Sequence, residues 1–313
     1  MRHKILVLLA AYNGEKYIAM QIDSILNSNH NQDVSILIGL DPSTDKTESI
    51  LENLDGPLIS IIKNITPSGS AKNNFSRLTE QALNLDSNYF CFSDQDDLWD
   101  KDKITITLEK LIKMEREHGP ETPLLVFSDS RVVSETLQTT AHSFIENESL
   151  KPNIANDFKR LLIQNVGQGC SFLFNKALLE LATPIPDGAR MHDHWLMLVA
   201  CAFGKISFIN QPLLSYRQHS SNVLGSKGHN LKGSISRAIK GRNAIKKSVH
   251  QLQKQAKSFH TQYKNKLPIE TQQFLLEFGE LSKQSVISRK KFCLKNNLYM
   301  GDLKRTIGFY VMI

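Results

Sequence analysis

The first 130 residues alternate short apolar runs with amphipathic stretches, and that alternation leaves few folds open. Residues 5–10, 34–40, 58–62, 89–92 and 124–127 read as strands. The first is apolar throughout, as a parallel strand covered on both faces must be. Residues 15–27, 45–54, 71–83 and the Pro-free segment 101–117 read as helices. In the first of these, Tyr17, Ile18, Ile22, Ile25 and Leu26 fall near one stripe. Ser43 or Thr44 is the expected N-cap of the second. A βαβα succession of this kind specifies an α/β fold with a mostly parallel, doubly wound sheet and flanking helices. Residues 131–167 are less regular, as an excursion over a site rim would be. Strands over 170–174 and 205–209 and helices over 176–182 and 192–203 follow. Glycines at 225, 228 and 241 then lead into a Lys- and Gln-rich region with helical stretches over 244–263 and 269–283.

Three of the strands end in polar residues. The first ends in Ala11-Tyr12-Asn13-Gly14, the second in Asp41-Pro42-Ser43-Thr44-Asp45 and the fourth in Asp94-Gln95-Asp96-Asp97. Any one of these is a turn by composition. On neighbouring strands they line a cleft, where open α/β sheets bind ligands. Clustered carboxylates repel one another unless a cation neutralises them. The cation that fits is a divalent ion carrying a substrate diphosphate, since Mg²⁺ is held by one or two carboxylates plus phosphates. In isolation the acid triplet would be a solvated turn.

At 313 residues, with 41% hydrophobic and 22% charged residues, the composition is that of a globular protein. The net charge of +7 hides an asymmetry. Residues 226–313 carry 18 Lys and Arg against 4 acids, whereas residues 1–225 carry 20 against 27. Two regions follow from this: 1–225 as the binding and catalytic part, 226–313 as a basic helical tail with a different job. Cys91, Cys170, Cys201 and Cys293 form no CxxC pair, so buried free thiols in a reducing cytosol are expected and a zinc site is not. The N-terminal apolar run lacks a small-residue cleavage pattern and reads as a buried first strand, not a signal peptide. No segment approaches the length of a membrane span.

The ordered motifs Ala-Tyr-Asn-Gly, Asp-Pro-Ser-Thr-Asp-Lys-Thr, Lys-Asn-Asn-Phe, Ser-Asp-Gln-Asp-Asp-Leu-Trp, Phe-Ser-Asp, His-Asp-His-Trp and Tyr-Arg-Gln-His resemble a family 2 glycosyltransferase of the GT-A fold. They most resemble the rhamnosyltransferase-like bacterial members that build surface polysaccharides. The resemblance spans residues 3–225, and its Asp-Gln-Asp-Asp-Leu-Trp segment and motif order are its specific parts. It implies a nucleotide-sugar donor, UDP- or dTDP-linked, a glycan acceptor carried on lipid, and Mn²⁺ or Mg²⁺ as cofactor. It implies that Tyr12 lines the base pocket, that Asp41 bonds the pyrimidine N–H and that Asp45 supports that loop. Lys72 and Asn74 fall where the family contacts base or ribose. Asp94 and Asp96 match the DxD acids, Asp94 toward ribose or metal and Asp96 as metal ligand. Asp193 matches the catalytic base, and Arg217 and His219 match residues that close over diphosphate and metal. The family often has two acids where this chain has Leu40-Asp41, and often Glu where it has His192.

The residues supply the chemistry independently of the resemblance. A divalent ion stabilises a diphosphate leaving group as a Lewis acid, and a carboxylate takes the acceptor proton, an effect of about 10²–10⁴-fold. One base opposite the leaving group gives single displacement with inversion. Asp193 alone would also suit an N-cap, and His219 alone would be a surface histidine. Its neighbour Arg217 favours an anionic ligand. The glycines of Gly167-Gln168-Gly169-Cys170 either admit sugar or acceptor close to the backbone or form an ordinary turn. Asp129 either supports the site or ends its strand, and Trp99 is expected to be packing. Two rival functions remain: a catalytically silent nucleotide-binding relative, and a basic nucleic-acid-binding protein with an α/β core. For the tail, a solvated helix pair is the simplest reading. The preferred one is attachment to an anionic membrane surface through residues 283–313, which mix Lys and Arg with large apolar side chains. That places the protein in the cytoplasm, peripheral to the inner face of the membrane, and no nucleic-acid partner is expected.

Overall fold

A computed structural model describes residues 2–28, 32–54, 56–219 and 235–313. The expected boundary at 225–226, with the glycines at 225 and 228, lies outside the described residues.

The strands are β1 (Lys4–Ala11), β2 (Asp33–Leu40), β3 (Ile59–Lys63), β4 (Tyr89–Ser93), β5 (Leu98–Trp99), β6 (Leu124–Val133), β7 (Thr139–Ala141), β8 (Phe172–Asn175) and β9 (Lys205–Arg217). The helices are α1 (Ile18–Leu26), α2 (Thr47–Asn53), α3 (Ala71–Ala82), α4 (Lys103–His118), α5 (Phe144–Asn147), α6 (Phe158–Ile163), α7 (Lys176–Ala182) and α8 (His192–Phe203). The basic region contributes α9 (Ile235–Tyr263), α10 (Ile269–Gly279), α11 (Val286–Lys295) and α12 (Leu303–Met312).

One sheet runs in the order β3-β2-β1-β4-β8-β6-β9-β5, with β7 paired to β6. The pairs β3–β2, β2–β1, β1–β4 and β6–β9 are parallel. The sheet is mixed, because β8 lies antiparallel between β4 and β6, and β5 antiparallel to β9. Chain order reverses where β1 sits between β2 and β4, the switch point at which such sheets form a crevice. The polar strand ends noted above all open onto this edge.

Alternation along each strand divides the core. Leu6, Leu8, Phe90 and Phe92 face one layer, with Phe75 of α3 and Trp195 of α8. Ile5, Val7 and Leu9 face the other, with Ile18 and Ile22 of α1 and Ile104 and Leu108 of α4. The first layer continues into the basic region, where Leu252, Ala256, Phe259 and Tyr263 form one stripe of α9. The Phe259 ring meets Trp195 edge-on at 5.3 Å, and Tyr263 stacks on it at 5.8 Å.

Local departures from the sequence expectation have local causes. Helix α2 starts at Thr47, not at Asp45, and neither Ser43 nor Thr44 caps it. Ser43 instead donates to the Asp41 carbonyl and accepts from Asn13 N–H. Asp45 accepts from Thr47 N–H. Both β6 and β9 run well beyond their apolar stretches because the polar residues pair with each other, Arg131 opposite Ser215 and Val133 opposite Arg217. The four cysteines are free, with Cys91, Cys170 and Cys293 buried.

Candidate active site

The crevice is built outward from the loop between β4 and β5. Gln95 pairs its side-chain amide with the backbone of Tyr12 in both directions, each bond 2.8 Å, which ties this loop to the end of β1. The Tyr12 ring is left 53% exposed at the mouth. Gly14 has no space for a side chain, because Gln95 fills it. Ser93 at the base of the loop is buried and receives Gln21 Nε2 at 2.8 Å.

The second strand end is a pocket held from below. Asp41 is buried and accepts from Asn64 Nδ2 at 2.8 Å and from the backbone and hydroxyl of Ser68. Burial alone would raise the Asp45 carboxyl, but the bonds it accepts from Thr47 and from Glu15 N–H hold it below the usual range. Asn74 is turned inward and donates to the Gly39 carbonyl at 2.8 Å. Lys72 reaches across to the Asp187 carbonyl at 2.8 Å. Asn74 thus belongs to the floor of the pocket, and Lys72 to a link between α3 and the segment before α8.

The third strand end carries the acids. Asp96 bonds His219 Nε2 at 2.8 Å, and the His219 ring lies 5.0 Å from that of Tyr17. Arg217 is almost fully buried. Its Nε donates to the Asp96 carbonyl and its Nη1 to the Glu135 carbonyl, both at 2.8 Å, while its backbone N–H donates to Asp97. Its guanidinium lies 4.6 Å from the Tyr17 ring centroid. In this arrangement Arg217 braces the acid loop from behind.

Asp193 reaches the same place from α8, almost a hundred residues on. The helix begins at His192 with Met191 in the cap position, so Asp193 is a first-turn residue and not the N-cap. Its carboxylate accepts from His194 N–H, Gly169 N–H and the Asn165 side chain. Burial pushes it up to about 6, and the bonds it accepts oppose that shift. Gly169 is needed for this approach: a Cβ there would lie 2.8 Å from His192 Nε2 and 3.3 Å from Asp193 Cβ. His192 is stacked on Phe75 at 3.9 Å, and burial lowers it to about 3. It is neutral and gives Asp193 no charge to lean on.

Asp94 joins the two groups. Burial, then Asp96, then Asp193 raise it to about 7. Asp97, fully buried, is raised well above the usual carboxylate range by burial and by the other two acids of its loop. The Cys170 thiol lies against its carboxyl, and among the described residues its Oδ2 has no nitrogen or oxygen partner. Asp94, Asp97 and Cys170 bring ligand atoms within 4.8 Å of one another. Burial and those same acids keep the Cys170 thiol protonated, so it is a poor ligand. Carboxylates that suppress each other's ionisation at such close range fit a hard divalent cation.

Residues 6–180 match the family described as glycosyl transferase family 2. The chain belongs to glycosyl transferase family 2. The transferase is 32% identical over 230 residues to the dTDP-rhamnosyl transferase RfbG of Shigella flexneri, covering 70% of this chain and 74% of that one. It is 24% identical over 236 residues to an uncharacterized glycosyltransferase, alr2836, of a Nostoc species, covering 70% and 66%. Among solved structures it is similar to S. aureus TarS 1-349 in complex with UDP-GlcNAc, with a TM-score of 0.52 at 15% identity over 99% of this chain and 90% of that one. It is also similar to the mannosyltransferase PcManGT of Pyrobaculum calidifontis in complex with GDP-Man and Mn²⁺, with a TM-score of 0.53 at 14% identity over 95% and 74%. The fold of the transferase is therefore GT-A.

Several residues around the site are silent in the sequence of the transferase. Asp97 looks like one more exposed acid, yet it is the most buried of its loop, with the fully buried Lys103 beneath it and 3.6 Å from the Trp99 ring centroid. Gln255 of α9 is fully buried. It accepts from Arg190 N–H at 2.9 Å and donates to His194 Nδ1 at 3.2 Å, leaving His194 Nε2 to donate to the Leu161 carbonyl at 2.7 Å. The basic region thus holds both sides of Asp193. The stripe at 249, 252, 256, 259 and 263 was the available signal that this side of α9 faces inward.

Proposed function

We propose that this glycosyltransferase moves a sugar from a nucleoside-diphosphate donor to a hydroxyl of a bacterial surface glycan carried on lipid, by single displacement with inversion. The observation that carries the reading is the approach of Asp193 to the acid loop: it is held by the N–H of Gly169, whose neighbour Cys170 lies within 4.8 Å of Asp94 and Asp97, and its charge reaches Asp94. A base on α8 is thus brought to a loop suited to a diphosphate.

Tyr12 and Asp41 line the place for the base of the nucleotide, and Asp45 stiffens that loop. Asp96, Asp94 and His219 would hold Mn²⁺ or Mg²⁺; His219 Nε2 is bonded to Asp96 at 2.8 Å, and the ligand atoms gathered within 4.8 Å are instead those of Asp94, Asp97 and Cys170. When bound, that ion neutralises the charge developing on the leaving diphosphate. Asp193 takes the proton of the acceptor hydroxyl. At about 6 its carboxyl is ionised at neutral pH and more basic than an ordinary aspartate, which favours proton abstraction. Gly169 keeps the backbone close to Asp193, and Arg217 fixes the loop against which the diphosphate lies. The names of RfbG, a dTDP-rhamnosyl transferase, and of TarS, seen with UDP-GlcNAc, support a UDP- or dTDP-linked donor.

The test is calorimetry with UDP, dTDP, GDP and their sugar conjugates, with and without Mn²⁺, on the wild type and on Asp96→Ala. Metal-dependent binding of one nucleotide, lost in the variant, is the expected result. Failure of every nucleotide to bind would defeat the reading.

A further inference from the structure

The last two helices carry none of the residues of the crevice described above. On α11, Ile287 and Leu294 point outward at 69% and 66% exposure; on α12, Leu303, Ile307 and Val311 do so at 72%, 55% and 65%. Their spacing, seven residues on one helix and four on the other, puts each set on one face. The two faces meet at an open apolar groove of about 480 Å³ lined by Leu294, Tyr299, Ile307, Tyr310 and Val311, with Lys290 at its rim. Patches of this kind on a soluble surface mark a binding face.

Charge identifies the occupant. Residues 283–313 contain seven Lys and Arg and one acid, Asp302, which is occupied in capping α12. Lys290, Lys291, Lys295 and Lys304 are exposed beside the apolar strip and have no ion-pair partner among the described residues. A planar anionic surface satisfies cations on both helices at once, while apolar side chains between them enter its outer layer. Tyr299 and Tyr310 offer the apolar body and polar tip that suit such a boundary. The hairpin is also firmly mounted. Arg160 of α6 lies 3.9 Å from the Tyr299 ring centroid, Gly301 N–H donates to Gln164 at 2.7 Å, and Arg305 pairs with Glu148 at 2.7 Å.

We infer that the α11–α12 hairpin is a docking foot for an anionic lipid bilayer, with Leu294, Ile307 and Val311 entering the interface and Lys290, Lys291, Lys295 and Lys304 contacting headgroups. No described helix is long and apolar enough to cross a membrane, so the foot rests on the surface. The inference needs no catalytic step and stands or falls apart from the donor assignment.

The test is flotation of the full chain with vesicles of phosphatidylcholine, alone and mixed with phosphatidylglycerol. The wild type is expected to float only with the mixed vesicles and to be released by salt. Ile307→Glu and Lys290→Glu should each weaken flotation at least ~10-fold. Lys113→Glu, the same charge change on exposed α4, should leave it unchanged. Thermal unfolding checks that Ile307→Glu folds; if it does not, Lys290→Glu against Lys113→Glu decides. Equal flotation with neutral vesicles, no flotation at all, or equal losses from Lys113→Glu would overturn the inference. So would a concentration-dependent dimer in light scattering that Ile307→Glu abolishes, since a second copy would then cover the groove.

Discussion

The acid crevice and the basic helices use charge in opposite ways. In the crevice, Asp94, Asp97 and Asp193 are drawn in beside Asp96 and desolvated, so that burial and neighbouring charge disturb their ionisation. On α11 and α12 the lysines are spread outward over a solvated surface. Convergent like charge calls for a small, highly charged ligand; dispersed like charge calls for an extended one. Beneath this contrast the two regions share a core, since Phe259 and Tyr263 pack on Trp195 and Gln255 bonds His194 and Arg190. Opposite net charge therefore does not make the two regions independent bodies.

The sharpest probe of the crevice is Asp193→Asn. Transfer should fall by about 10²–10⁴-fold while calorimetric donor affinity is kept. The wild-type rate should decline as pH drops through about 6, where the base gains its proton. Its stability runs the other way. The folded-state value lies above the usual 3.8, so the ionised carboxylate costs stability above about 6, and that cost fades as the pH falls toward 3.8. The melting-temperature advantage of the Asp193→Asn variant over the wild type should be largest at neutral pH and shrink on acidification. Wild-type transfer rates in this variant would remove Asp193 as the base.

The shared core is broken by Phe259→Ala. Loss of a fully buried aromatic should cost about 3–5 kcal/mol, and denaturant unfolding followed by Trp fluorescence and by far-UV dichroism should stay one coincident transition. Two separated transitions would divide the regions that the packing unites.

Gly169→Ala is a subtler test of the crevice. The new methyl meets His192 and Asp193, so kcat should drop by roughly 10²-fold, as a misplaced catalytic group does, with donor binding little changed. Gln255→Leu is the mildest. It strands the Arg190 N–H and His194 Nδ1, at about 1–3 kcal/mol of stability by chemical denaturation. A lowered kcat with unchanged KM would show that the basic region positions Asp193 as well as supporting it.

Much of the nucleotide half was legible because its strands are covered on both faces, so that runs such as Ile5–Leu9 stand out whatever their neighbours are. The acids were legible because they follow such a run directly. The length of β6 was not, since Ser128, Asp129, Ser130 and Arg131 have no strand-like pattern. They are held in the sheet by pairing with β9 and by bonds such as those from Phe144 and Ile145 N–H to Asp129. The antiparallel direction of β8 has no compositional signature at all. Asn74 and Gln255 were illegible for another reason. A polar side chain carries no mark of whether its partner will be water, ligand or a buried carbonyl, and only the tertiary neighbours decide.

The Trp195–Phe259 contact also has a consequence in time. The chain is made from its N-terminus, and Phe259 emerges ~60 residues after Trp195, an interval of roughly 3–13 s at ordinary synthesis rates. During that interval the apolar face of α8 has no α9 to cover it. Until then Trp195 and Phe203 lack the α9 rings that pack on them, and the arrival of Phe259 and Tyr263 completes that side of the core.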